Sequence, residues 1–211
     1  MWNMGEYGLN IMPLICPVCS NRLQVGAQEV VFYCRNCRNA SELSGNAIVK
    51  REILHAAGTG DIFLPFWTVP FRFAASGISV ETRRDLTVFT GNIDHENGSE
   101  NSMRPPVLYL PAFQMLAPQV IRLGRQMTLR MPVLQAAGNA PKSIEQIIIS
   151  EGDVDKMAEA VIISATPEQR RKDYGFLASS TVRTGPGRLI TIPFAKGPGG
   201  RYYSRELNLE F

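Results

Sequence analysis

Hydrophobic and polar positions alternate over short stretches along most of this chain, and Gly or Pro punctuates them, so the pattern predicts short strands and turns. Leu23-Gln24-Val25 reads as one strand, Gly26 to Glu29 as a turn, and Val30-Val31-Phe32-Tyr33 as the returning strand of a hairpin. Ser41 to Gly45 adds a third short strand with its turn. Ile48 to His55 leads away from this module and Gly58-Thr59-Gly60 breaks the chain, which puts a boundary near residues 46–60. Beyond it, Phe71 to Ala74 and Ile78 to Glu81 alternate as strands, with Leu86-Thr87-Val88-Phe89 read as another. The period then changes. Leu116, Val120, Leu123, Met127 and Met131 make one apolar stripe at helical spacing, opened by Pro118. Asp153 caps a second expected helix that buries Val154, Met157, Ala158 and Val161. At the end, Arg188 to Ile192 and Tyr202 to Leu207 form a hairpin around Gly197-Pro198-Gly199-Gly200. That turn is no phosphate loop, because no Lys-Ser/Thr and helix follow the glycines.

One small pattern recurs. Phe63-Leu64-Pro65-Phe66, Tyr109-Leu110-Pro111-Ala112-Phe113 and Thr191-Ile192-Pro193-Phe194 are each an apolar run with a central proline and an aromatic after it. Such prolines belong at strand ends, edges or bulges. The three copies imply equivalent strand positions in an internally duplicated scaffold, at intervals too unequal for a solenoid. Between the first two copies, Gly91 to Pro106 is a long polar loop carrying Asp94-His95-Glu96, read chiefly as solvated loop.

Composition narrows the class. With 211 residues, 45% hydrophobic and 19% charged, the chain can bury a real core. The N-terminus lacks a basic region followed by an apolar core, and no apolar run approaches a membrane span. All four cysteines fall in two Cys-x-x-Cys pairs, leaving none for disulfides, which places the protein in a reducing cytoplasm.

Those pairs, Cys16-Pro17-Val18-Cys19 and Cys34-Arg35-Asn36-Cys37, carry the clearest chemistry. Each tight turn aims two sulfurs at one point, and two such knuckles complete a tetrahedral four-sulfur metal site. The pattern resembles the zinc ribbon superfamily, which rubredoxins also resemble, over residues 11–49. The resemblance implies one structural Zn²⁺ held by Cys16, Cys19, Cys34 and Cys37. Rubredoxin knuckles run Cys-x-x-Cys-Gly, whereas Ser20 and Arg38 stand at the glycine positions here, which disfavours a redox iron. Four thiolates leave zinc no open position, so the site is read as structural. The fold class is therefore α+β. A four-cysteine zinc ribbon, 11–49, precedes a mostly antiparallel β domain with about two helices, 60–211.

Charge adds little. The formal net charge is +3, and four thiolates with one divalent zinc lower it to about +1. Arg22, Arg35 and Arg38 lie beside the knuckles and offset the site's negative charge. Residues 101–144 hold five Lys or Arg and no acid, and an acidic stretch from Glu145 to Glu159 follows and is expected to answer them within the fold. The chain has two histidines and lacks the zinc-protease, nucleophile-elbow and dinucleotide motifs, so no catalytic residues are assigned. The leading expectation is a non-enzymatic interaction or scaffold subunit with a protein partner. Nucleic-acid binding through Phe32, Tyr33, Arg35 and Arg38 is an alternative, and rubredoxin-like electron transfer is another.

Overall fold

A computed structural model describes residues 13–91 and 102–211 of the chain. In chain order its elements are β1 (Val31–Tyr33), β2 (Ala40–Ser44), β3 (Ala47–Arg51), β4 (Ile53–His55), β5 (Ile62–Ala75), β6 (Ile78–Val80), α1 (Arg83–Thr90), β7 (Val107–Pro111), α2 (Ala117–Arg130), α3 (Glu151–Ala165), α4 (Glu168–Arg171), α5 (Tyr174–Ala178), β8 (Thr181–Thr184), β9 (Arg188–Lys196), β10 (Tyr202–Ser204) and β11 (Leu209–Glu210). The class is α+β with mostly antiparallel sheets, and the described residues hold five helices where two were expected. None of these helices is long and apolar enough to cross a membrane. The first residues of the expected ribbon, 11–12, and the Asp94-His95-Glu96 triplet lie outside the described residues.

β5 organises the larger sheet. Its first half is buried on both faces. Trp67 and Val69 enter one core cluster, and Leu64 and Phe66 enter another behind the sheet. This explains the near-continuous apolar run of Ile62 to Phe66. Its second half alternates, with Phe71, Phe73 and Ala75 buried and Arg72 and Ala74 exposed. β7 and β6 flank one side of β5, β9 and β8 the other. β8 and β9 run as one interrupted strand. Gly185, Pro186 and Gly187 oppose only Val69 and Pro70, which makes a one-residue bulge. β4 adds to the outer edge of β9 in parallel, and β10 with β11 continue from it.

The three proline-centred runs lie on β5 and its two neighbours, side by side. Pro65 stands inside a central strand without breaking it. Its carbonyl accepts from Ala112 N–H at 2.9 Å, one step past the end of β7, and the Ala112 carbonyl that a donor at Pro65 would have met accepts from Ile148 N–H at 2.8 Å instead.

Two readings of the pattern are corrected. Leu86 to Phe89 is helical within α1 rather than a strand. Leu86 and Phe89, three residues apart, face the core, while Val88 is exposed. Thr82 and Asp85 form a capping box that starts the helix. The hairpin between the knuckles is also absent: Leu23 to Val25 is irregular, and β1 pairs with β2 instead. The expected turn at Gly26 does form, closed by Glu29 N–H to Gly26 O at 3.3 Å.

The helix stripes fare better. α2 buries Val120, Leu123 and Met127, with Met131 buried at its end, but Leu116 at the N-cap is exposed. α3 buries Val154, Ala158 and Val161 as expected but leaves Met157 half-buried, and its N-cap is Ser150; Asp153 is three residues in and accepts from Ser150 Oγ at 2.6 Å. α2 packs close to β7, where a Cβ on Gly124 would lie 3.0 Å from Tyr109 O.

Candidate metal centre

Each knuckle is closed by the same pair of backbone bonds. Ser20 N–H donates to Cys16 O at 2.9 Å and Cys16 N–H to Asn21 O at 2.8 Å. Arg38 N–H donates to Cys34 O at 2.7 Å and Cys34 N–H to Asn39 O at 2.9 Å. The residue after the second cysteine is left-handed in both, with φ of 61° at Ser20 and 59° at Arg38. The sequence carries this repeat as Cys-x-x-Cys-x-Asn twice, a signal wider than the cysteines alone.

The knuckles bring all four sulfurs within 4.8 Å of one another. Across the knuckles, Cys16 Sγ lies 3.5 Å from Cys37 Sγ and Cys19 Sγ 3.6 Å from Cys34 Sγ. A tetrahedral ion with metal–sulfur bonds of about 2.3 Å needs sulfurs about 3.8 Å apart, so the four residues fit one metal ion. Cys16 and Cys34 are buried, Cys19 and Cys37 partly so, and Leu23 and Phe32 pack against them. Burial pushes the Cys34 thiol up to about 11, while the Asn21 backbone hydrogen bond, then the Asn36 side chain, pulls Cys19 down to about 6. A bound divalent ion favours the thiolate form of every ligand.

β1, β2 and β3 form a sheet under the knuckles. One face carries Phe32 toward the sulfurs. The other carries Val31, Tyr33 and Ala40 into the cluster built around Trp67 and Phe71, so module and β domain share one core. Hydrogen bonds fasten the junction. Tyr33 Oη donates to Pro141 O at 2.6 Å, Arg38 Nη1 to Ala140 O at 3.1 Å, and Val30 N–H to Ile147 O at 2.8 Å. Burial raises the Tyr33 hydroxyl to about 12. Arg51 at the end of β3 lies 4.8 Å over the Trp67 ring and pairs with Glu151 at 2.6 Å and Glu42 at 3.3 Å. Only Glu52 separates β3 from β4, so the chain passes from one sheet to the other within a single residue.

Of the arginines beside the knuckles, Arg22 and Arg35 stay exposed, and Arg35 reaches Gln24 Oε1 at 3.5 Å. His55 lies apart from the sulfurs. Its Nδ1 meets Thr191 Oγ1 at 2.7 Å, its ring stands edge-on to Tyr33, and burial lowers its basicity. Among the described residues, no ion pair joins the basic window to the acidic stretch after it. Glu151 answers Arg51, and Arg130 donates instead to Leu207 O at 2.7 Å and to Asn208 O. Compared with protein-family models, with curated proteins and with solved structures, the chain matches none.

Proposed function

We propose that the chain is a non-enzymatic interaction or scaffold subunit whose N-terminal module is a zinc ribbon holding one structural Zn²⁺. The observation that carries this reading is a module with one face fixed and the other offered. Val31, Tyr33 and Ala40 anchor it in the main core, while Ile15, Val18 and Leu43 stay exposed around the knuckles. Apolar side chains held rigidly on a metal-braced knob suit a protein partner, because little ordering entropy remains to be lost on docking. Four soft sulfur ligands favour zinc or iron, and a closed four-thiolate zinc serves structure rather than chemistry. With every cysteine committed to the site, a reducing cytoplasm is the compartment that suits it. The three proline-centred strands are read as equivalent positions of a duplicated scaffold that supplies architecture alone.

Elemental analysis of the purified protein checks the metal: one zinc in a colourless protein is expected, and a red iron protein refutes that part. Crosslinked co-purification from the native host checks the partner. Val18→Asp and Leu43→Asp are expected to abolish capture while metal content and melting temperature stay unchanged. A wild-type protein recovered only as a monomer, or capture indifferent to both substitutions, overturns the reading.

A further inference from the structure

The upper half of β5 leaves one sheet face open, and that face carries an arrangement that folding alone does not favour. Arg72 on β5 and Arg183 on β8 are direct cross-strand partners. Both are exposed and point to the same side, opposite the buried Phe71 and Phe73. Side chains so placed start about 5 Å apart, and like charges directly opposite each other destabilise a sheet. Neither guanidinium has a hydrogen-bonded or ion-paired partner among the described residues. Beyond the bulge, Arg188 stands opposite Thr68 on the same face, exposed and equally unpaired among the described residues. Thr68 is four residues from Arg72, so this third cation lies about 13 Å along the strand at the usual rise. Two exposed acids stand in register with these cations: Glu81, just past β6, continues the β5–β6 register to Arg72, and Glu52, just before β4, continues the β4–β9 register to Arg188. Glu81 accepts from Ser79 Oγ at 3.2 Å, and among the described residues neither acid pairs with the arginine beside it.

We propose that this face binds the phosphate backbone of a nucleic acid, with Arg72 and Arg183 clamping one phosphate and Arg188 meeting another. Guanidinium groups suit the task because their planar forks bond phosphate oxygens in pairs. An anion between Arg72 and Arg183 also turns their repulsion into attraction. The cations form a line rather than a pocket, which fits a polymer with repeating charge. Between Arg188 and the arginine pair the face carries half-buried Pro70, and beyond the pair Ala74 opposite Thr181; in register on it, exposed Leu54 of β4 stands at the edge, two strands from Phe66. One edge leucine is too little to insert into a bilayer or to form a pocket for peptide side chains. Without aromatic platforms the binding is independent of base sequence.

Fluorescence anisotropy with short mixed-sequence single-stranded and duplex oligonucleotides tests this, titrated between about 50 and 200 mM salt. The wild type is expected to bind in the non-specific range of about 10⁻⁴–10⁻⁶ M, with a log–log salt slope on duplex near −3. Arg72→Gln with Arg183→Gln is expected to weaken binding by about tenfold or more and to lower the slope by about 2. Arg183→Glu, which gives Arg72 a cross-strand partner, is expected to abolish binding while raising the melting temperature. Arg122→Gln with Arg125→Gln on α2, and Arg22→Gln with Arg35→Gln on the knuckles, should leave affinity within about twofold. The proposal is overturned by a wild type that binds neither oligonucleotide at low salt, by sheet variants that bind like wild type, or by a control pair that loses as much. Attachment to phosphatidylserine vesicles without oligonucleotide binding overturns it as well.

Discussion

Ser20 and Arg38 take the left-handed backbone that closes each knuckle, a conformation in which a Cβ is strained and glycine is not. Arg38 also holds Ala140 O through its side chain, whereas the Ser20 side chain is exposed. Ser20→Gly is therefore expected to stabilise the metal-loaded protein by about 1 kcal/mol, read from urea unfolding; a loss of stability would show that the serine side chain does more than tolerate the turn. Both knuckles thus meet this backbone demand without glycine, at some cost. His55 gives a second test. Its half-buried ring sits between Thr191 and Tyr33, and burial holds its pKa below the ordinary 6.5. Below about pH 6.5 the unfolded chain takes up a proton that native His55 resists, so its contribution is complete above that pH and is lost as pH falls. Denaturant unfolding from about pH 7 to pH 5 should show a steeper decline for wild type than for His55→Gln. Parallel declines would remove His55 as the cause.

Element type was most legible where periodicity ran long. The α2 stripe from Val120 to Met127 was plain, and so was the C-terminal hairpin, whose Tyr202 pairs with Lys196. Short segments misled. Leu86-Thr87-Val88-Phe89 has strand-like residues, yet the deciding information lies before it, in the reciprocal bonds of Thr82 and Asp85. Thr82→Ala should lower stability by about 1 kcal/mol, with amide exchange quickening in α1 before the sheet; uniform quickening would mean that the cap acts on the whole fold. Leu23 to Val25 failed for another reason. Strand propensity does not choose a partner, and β1 finds its register with β2 beyond the second knuckle.

At the scale of the whole molecule, the shared core changes what metal loss should do. Two separate modules would let residues 60–211 stay folded after Cys16→Ser or chelation. Val31, Tyr33 and Ala40, however, cover the same cluster as Trp67 and Phe71. Metal removal is thus expected to lower the melting temperature of the entire chain in a single transition, followed by circular dichroism; two resolved transitions would restore the independent-module picture. The sequence by itself determined the four cysteines that could hold one metal ion and the buried faces of α2 and α3, because knuckle spacing and helical period are local properties. Only the tertiary structure decided that the knuckle sheet shares the main core, that Arg51 bridges Glu42 and Glu151 over Trp67, and that Arg72 faces Arg183. Arg51 with Glu151 and Arg72 with Arg183 join residues 100 or more positions apart, and such pairings depend on strand register and on the bulge at Gly185 to Gly187, which no local pattern encodes.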